Sequence, residues 1–150
     1  MATDGSEGIV GSPSKEVTVT PDLELKLPAR AENVAVVRHA FGGFAEALSV
    51  DEQTLADIKL AITEACTNVV IHAYDEDEDG SLEVDASIDN RRLTVVIRDR
   101  GRGIVPRPDS PGLGLGLPLI ATLAESLELG KDDFDHTEVR MTFALDEDEL

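Results

Sequence analysis

Tryptophan is missing from this chain, and aromatic residues make up only 3% of it: four phenylalanines and a single tyrosine. A core must therefore be assembled from Val, Leu, Ile and Ala. Hydrophobic residues still total 41%, which favours a fold over disorder. Cysteine occurs once, at Cys66. That excludes an internal disulfide framework and a cysteine-only metal site, and it fits a reducing, cytoplasmic setting. Cations are scarce: 13 Lys and Arg stand against 31 Asp and Glu, a net charge of −18. Such a balance argues against a nucleic-acid-binding surface, which needs a basic patch, and against anionic membrane surfaces. A basic protein partner, or solubility alone, accounts for it. No apolar run approaches the roughly 20 residues of a membrane span. The N-terminus lacks a charged segment followed by an apolar one, so no signal peptide is expected.

What is present amounts to one domain of 150 residues. Residues 1–15, rich in Gly, Ser and acidic side chains, read as a disordered tail, and the domain is expected over 16–146. From Glu16 to Leu27 apolar and polar residues alternate as in a half-buried strand, interrupted at Pro21. Ala31–Leu48 has helical spacing, weakened by Gly42 and Gly43. Asp51 is a good N-cap for a helix running to Tyr74. Asp75–Gly80 starts like a calcium loop, but its twelfth position is Ala86 instead of the required Glu, so a solvated acidic turn is expected. Ser81–Asp89 and Leu93–Ile97 alternate as two strands of a hairpin, with its turn at Asp89-Asn90. A Pro-rich loop and a glycine cluster lead to a helix expected to start at Pro118. A short strand near Leu127–Leu129 and a last strand over Thr137–Leu145 close the chain. Strands and helices do not alternate strictly. The pattern fits an α+β fold, a mostly antiparallel sheet with helices on one face, better than a doubly wound parallel one.

The stretch Leu60–Tyr74 organises this arrangement. At about 100° per residue, Asp57, Glu64, Asn68 and His72 fall within an arc of about 80°, and Leu55, Ile58, Ile62, Ala65, Val69 and Ala73 form a facing apolar arc. Glu64 and Asn68 stack one turn apart, and Asn is a poor mid-helix residue. The pair is either surface decoration or a site. Two glycine clusters bear on the choice. Asp99, Gly101 and Gly103 follow the hairpin, where an Asp can accept from an exocyclic amine and glycines let backbone approach a flat ligand. Gly112, Leu113, Gly114, Leu115 and Gly116 lead into a helix, whose N-terminal N–H groups can bind phosphate. Neither cluster is a Walker loop or a dinucleotide fingerprint, because the spacing and flanking residues differ. Each alone could equally be a flexible turn. Cys66 and His39 read as a core residue and a surface histidine, with no chemistry of their own.

In combination, Glu64-x-x-x-Asn68, Asp99-x-Gly101-x-Gly103, Gly112-x-Gly114-x-Gly116 and Thr137 resemble the ATPase family that includes gyrase B, heat-shock chaperones, histidine kinases and MutL. The phrases EACTNVVIHAY, VVIRDRGRGI and GLGLGLPLIATLAESLEL resemble in particular its bacterial anti-sigma factors that are serine-protein kinases. The resemblance covers nearly all of Val17–Leu145. It implies a two-layer α/β sandwich, the Bergerat ATP-binding fold with a mixed, mostly antiparallel sheet, and it implies ATP and Mg²⁺ as cofactors. It implies Glu64 as general base, Asn68 as Mg²⁺ ligand and Asp99 on the adenine amine. Gly101 and Gly103 would pass under the nucleotide, and Val105–Gly112 would be a lid. Gly112, Leu113, Gly114, Leu115 and Gly116 would line the phosphates, and Thr137 would back the adenine. His136 stands where the family often has glycine. The implied partners are a sigma factor, an anti-sigma-factor antagonist of the STAS type as phosphoacceptor, and a second copy in a homodimer. A nucleotide-gated binding module without transfer, or a switch kinase acting on a scaffold protein, would use the same residues.

Overall fold

The computed structural model describes residues 20–75, 79–101, 111–134 and 136–145, with the side chains of 111–115 left out. The strand expected from Glu16 is described from Leu23: β1 is Leu23–Pro28. Helix α1 spans Ala31–Ala47 and α2 spans Glu52–Asn68. Strands β2, Ser81–Asp89, and β3, Arg92–Asp99, form the hairpin. Helix α3, Pro111–Leu123, is followed by β4, Ser126–Lys131, and β5, Thr137–Ala144. The sheet order is β1-β2-β3-β5-β4, and every described pairing is antiparallel.

Register decides which side chains meet. Leu23, Ala86, Val95, Met141 and Leu127 form one row across the sheet, and Leu25, Val84, Ile97, Val139 and Leu129 form the next. These rows face the helices. All but the exposed Leu129 join Val34, Val37 and Phe41 of α1, Ile58, Ile62 and Ala65 of α2, and Ile120 of α3 in one cluster, with Leu23, Leu25 and Leu127 partly buried at its margin. The opposite face carries ion pairs instead. Arg98 contacts Glu138 at 2.8 Å and Asp85 at 3.3 Å, and Arg100 contacts Glu83 at 2.7 Å. The strands thus alternate apolar and charged, as an antiparallel sheet covered on one side requires.

Asp51 caps α2 as its sequence predicts, accepting from the Thr54 amide at 2.8 Å. That bond holds the Asp51 carboxyl below its ordinary pKa. Three expectations need correction. The hairpin turn is Asn90-Arg91, one residue later than expected, and both adopt left-handed φ of 53° and 62°. These are the angles of the two-residue turn that matches strand twist. The long helix does not run unbroken to Tyr74: after Asn68 it widens into a π turn, Val69–Ala73. The third helix starts at Pro111, so Pro118 lies inside it and the glycine cluster occupies its first turns. Proline does favour the first helical position, but Pro111 fills it.

Candidate active site

Asn68, Asp99 and Thr137 are the buried polar or charged residues among those described, at 4%, 1% and 7% exposure. Everything else in the core is apolar, so these three mark where its chemistry changes. They come from three elements. Asn68 ends α2, where the π turn begins. Asp99 ends β3 and Thr137 opens β5, and the two are direct register partners on the helix-facing side of the sheet. Leu82 of β2 and Leu27 of β1 continue that row. The same alternation that places leucine against the core on β1 and β2 places an Asp and a Thr there on β3 and β5.

Asn68 is unusual in what it lacks. Its Nδ2 is buried without a hydrogen-bond partner, a condition shared among the described residues only by Ser81 Oγ. An unpaired buried amide costs about 1–3 kcal/mol. Gly116 of α3 packs directly above it: a Cβ there would sit 2.7 Å from Asn68 Nδ2. The glycine gives the carboxamide its space. Glu64, one turn earlier, is half-buried. Among the described residues no hydrogen bond or ion pair engages it, so its carboxylate is available to an outside proton.

The Asp99 side chain turns the chain just past β3, accepting from the Gly101 amide at 3.0 Å. Gly101 sits where a Cβ would strike the Ala73 carbonyl oxygen at the end of the π turn and the Tyr74 ring. Backbone of the helix end and backbone of the first glycine cluster therefore touch, which only glycine permits. Tyr74 holds this junction. Its hydroxyl donates to the Ser81 carbonyl at 2.8 Å and accepts from the Ser81 and Arg100 amides at 3.2 and 2.8 Å. Sequence reasoning took Tyr74 only as a helix end. Its being the one tyrosine in the chain is the signal that could have drawn attention to it.

His136, which replaces a glycine in the resemblance, is fastened by Asp132. The carboxylate accepts from the His136 and Phe134 amides at 2.9 and 2.8 Å and meets the imidazole at 3.1 Å. Partial desolvation pushes the Asp132 pKa up, but these bonds outweigh it and hold it below the ordinary value. The turn ahead of Thr137 is thus closed by side-chain bonds, with no glycine needed. His39 is exposed and, among the described residues, bonds only its own helix, at Ala35. Cys66 is fully buried, and burial pushes its thiol up to about 12. Neither belongs to the site.

Of the expected residues, the structure gathers Asn68 with Gly116, and Asp99 with Gly101 and Thr137, around the C-terminal end of α2 and its π turn. The backbone of Gly112, Leu113, Gly114 and Leu115 runs through the first turns of α3. Gly103 and residues 105–110 of the expected lid lie outside the described residues.

A two-layer α+β domain with an Asn at the end of its central helix and an Asp at a strand end opposite is built as an ATP-binding domain of the histidine-kinase kind. The family profile described as "histidine kinase-like ATPase domain" matches residues 27–143, and the chain belongs to that family. It is 35% identical over 126 residues to proteins named serine-protein kinase RsbW from Bacillus thuringiensis and Bacillus cereus, covering 74% of this chain and 78% of theirs. In fold it is similar to the crystal structure of the RsbU and RsbW domains of a Mycobacterium tuberculosis protein. The TM-score there is 0.67 at 24% identity, over 84% of this chain and 33% of that longer one. It is also similar to the histidine kinase domain of a blue-light activated histidine kinase from Erythrobacter litoralis, with a TM-score of 0.52 at 22% identity, over 79% and 61% of the two chains.

Proposed function

We propose that this chain is an ATP-dependent serine protein kinase that doubles as an anti-sigma factor. It holds a sigma factor off polymerase and phosphorylates a serine on a STAS-type antagonist, in the cytoplasm, as a homodimer paired through β1 and α1. The observation that carries the reading is Asn68: a buried carboxamide kept unpaired, under a glycine, one turn after a half-buried Glu. An amide N–H that costs stability where it stands is explained by an acceptor such as a phosphate oxygen, which leaves the carboxamide oxygen for Mg²⁺. The names of the relatives at 35% identity support a serine as acceptor.

In this mechanism Asp99 accepts from the adenine amine, its position fixed by the Gly101 amide, and Thr137 beside it closes the adenine pocket. Gly116 and the first turns of α3 supply backbone facing the phosphates. Among the described residues no group of three or more His, Cys, Asp or Glu could cage a metal. A single carboxamide oxygen fits Mg²⁺, which takes few protein ligands and shares phosphate oxygens. Asn68 would hold it, and when bound Mg²⁺ neutralises charge on the phosphates. Glu64 takes the proton of the seryl hydroxyl as its oxygen bonds to the γ-phosphorus. The bond from that phosphorus to the β–γ bridging oxygen breaks, and ADP leaves.

The test uses purified protein, Mg²⁺, γ-labelled ATP and a purified single-domain antagonist. Label is expected on serine. Glu64→Gln is expected to bind ATP within twofold of wild type and to lose transfer by roughly 10²-fold or more, the usual scale for a general base. Transfer by Glu64→Gln at the wild-type rate would refute the assignment. A wild-type protein that binds antagonist and ATP but transfers nothing would instead be a binding module.

A further inference from the structure

Helix α2 packs against α1 on one side, against α3 on the other and against the sheet beneath. One side is left over. At about 100° per residue, Leu60, Glu64 and Thr67 lie on it within an arc of about 60°, and Ile71 follows about one turn after Thr67 in the π turn, beside that arc. Two large apolar residues there are bare: Leu60 is 42% exposed and Ile71 is 60% exposed. They flank Glu64 on the same ridge. Lys59, the nearest cation along the helix, turns away toward Gly42 of α1, whose Cβ position lies 3.9 Å from its Nζ. Asp57 shares the ridge and is bonded to Gln53 at 3.0 Å.

We infer that this ridge is the docking surface for the phosphoacceptor, a folded protein that presents its serine beside an apolar patch with a neutral or basic rim. The inference rests on Glu64 acting as the base. A base must lie within hydrogen-bond reach of the proton it takes, so the acceptor must sit on Glu64. Leu60 lies about 6 Å and Ile71 about 10 Å from Glu64 along the axis. A protein footprint of about 800 Å² per partner covers both. The ridge also explains specificity: free serine or a short polar peptide would gain nothing from Leu60 and Ile71. The carboxylates of Asp57 and Glu64, with no cation on the ridge, disfavour an acidic rim.

The experiment is antagonist phosphorylation by Leu60→Ser/Ile71→Ser, both exposed positions outside the buried cluster. The KM for antagonist is expected to rise about tenfold or more, with ATP affinity and antagonist-independent ATP hydrolysis within twofold of wild type. An unchanged KM overturns the inference. In parallel, a photo-crosslinking residue at position 71 is expected to capture the antagonist. Capture of a second copy of this chain, or of nothing, also overturns it. The two readings fail separately. If Glu64→Gln still transfers while the ridge variant does not, the base assignment falls and the docking surface stands. If wild type transfers nothing, the kinase reading falls and the crosslink decides the surface.

Discussion

Replacing Asn68 by Ala separates a ligand-binding residue from a packing residue, because the two roles predict opposite signs. The Nδ2 of Asn68 is buried and unpaired, so removing it relieves about 1–3 kcal/mol of desolvation without a compensating bond lost. Against this stands the cavity left by three heavy atoms, about 25 Å³, which at about 24 cal/mol per Å³ costs about 0.6 kcal/mol. Ala also has the better helix propensity, by several tenths of a kcal/mol. The ligand-free variant should therefore be at least as stable as wild type, with a melting temperature equal or a few degrees higher. With Mg-ATP at a hundred times its Kd, wild type gains about 2.7 kcal/mol, or roughly 8 °C at about 3 °C per kcal/mol. The variant should gain nothing. The stability order of the two proteins thus reverses when Mg-ATP is added. The assay is a thermal melt of each with and without nucleotide, checked by calorimetric titration. A variant that melts well below wild type without ligand, or that keeps its Mg-ATP shift, refutes the reasoning.

Gly116→Ala places a methyl 2.7 Å from the Asn68 amide, the movable end of a side chain; a melting temperature within a few degrees of wild type, offset by better helix propensity, should accompany at least a tenfold loss of ATP affinity. In the double variant with Asn68→Ala the methyl has room, so the stability effects should be non-additive in the favourable direction. Tyr74→Phe removes one donated and two accepted hydrogen bonds and should cost about 1–3 kcal/mol, measured by urea unfolding; a loss under about 0.3 kcal/mol would mean the hydroxyl does not fasten the helix end. The Cys66 thiol, raised by burial from an ordinary 9.0 to about 12, should resist a disulfide reagent in the folded state and react only at the rate of unfolding. Because its folded value is the higher one, its stability contribution is full below pH 9 and lost as pH rises toward 12, by about 1.4 kcal/mol per pH unit. The stability of wild type relative to Cys66→Ala should fall accordingly between pH 9 and 11.

The elements were legible where a period carried them. Alternation gave both hairpin strands and β5, and the spacing of Val34, Val37 and Phe41 gave α1. Alternation fixes the face each side chain takes, but the pairing of Asp99 with Thr137 comes from a non-local strand neighbour that the hairpin does not specify. Three further features were not legible. The turn shifted by one residue because Arg91, with no glycine to announce it, accepts a φ of 62°. Helix α3 begins seven residues before Pro118, because Pro111, not Pro118, fills its first position. At Gly116 glycine serves as space: the residue is helical and is small because Asn68 is beneath it. The π turn after Asn68 has no pattern of its own in the sequence. It is set by what the helix end meets in three dimensions, the Gly101 backbone and the bonds of Tyr74.

That π turn connects the parts of the site. A regular helix through Ala73 would advance about 100° at each residue, and a π turn, with its i→i+5 bonds, advances less. The change begins at the residue after Asn68 and ends at the carbonyl touching Gly101. The residues on either side are both fixed: Asn68 beneath Gly116, and Tyr74 by its bonds to Ser81 and Arg100. The widened turn takes up the mismatch between these two anchors, one on α3 and one on the hairpin. It follows that Asn68 and Asp99 are held in mutual register by backbone contact between Ala73 and Gly101, with no side-chain bond between them required. Substituting Gly101 by Ala should therefore disturb the proposed nucleotide contacts of Asn68 and Asp99 together, read as a loss of ATP and of adenosine binding in calorimetric titration.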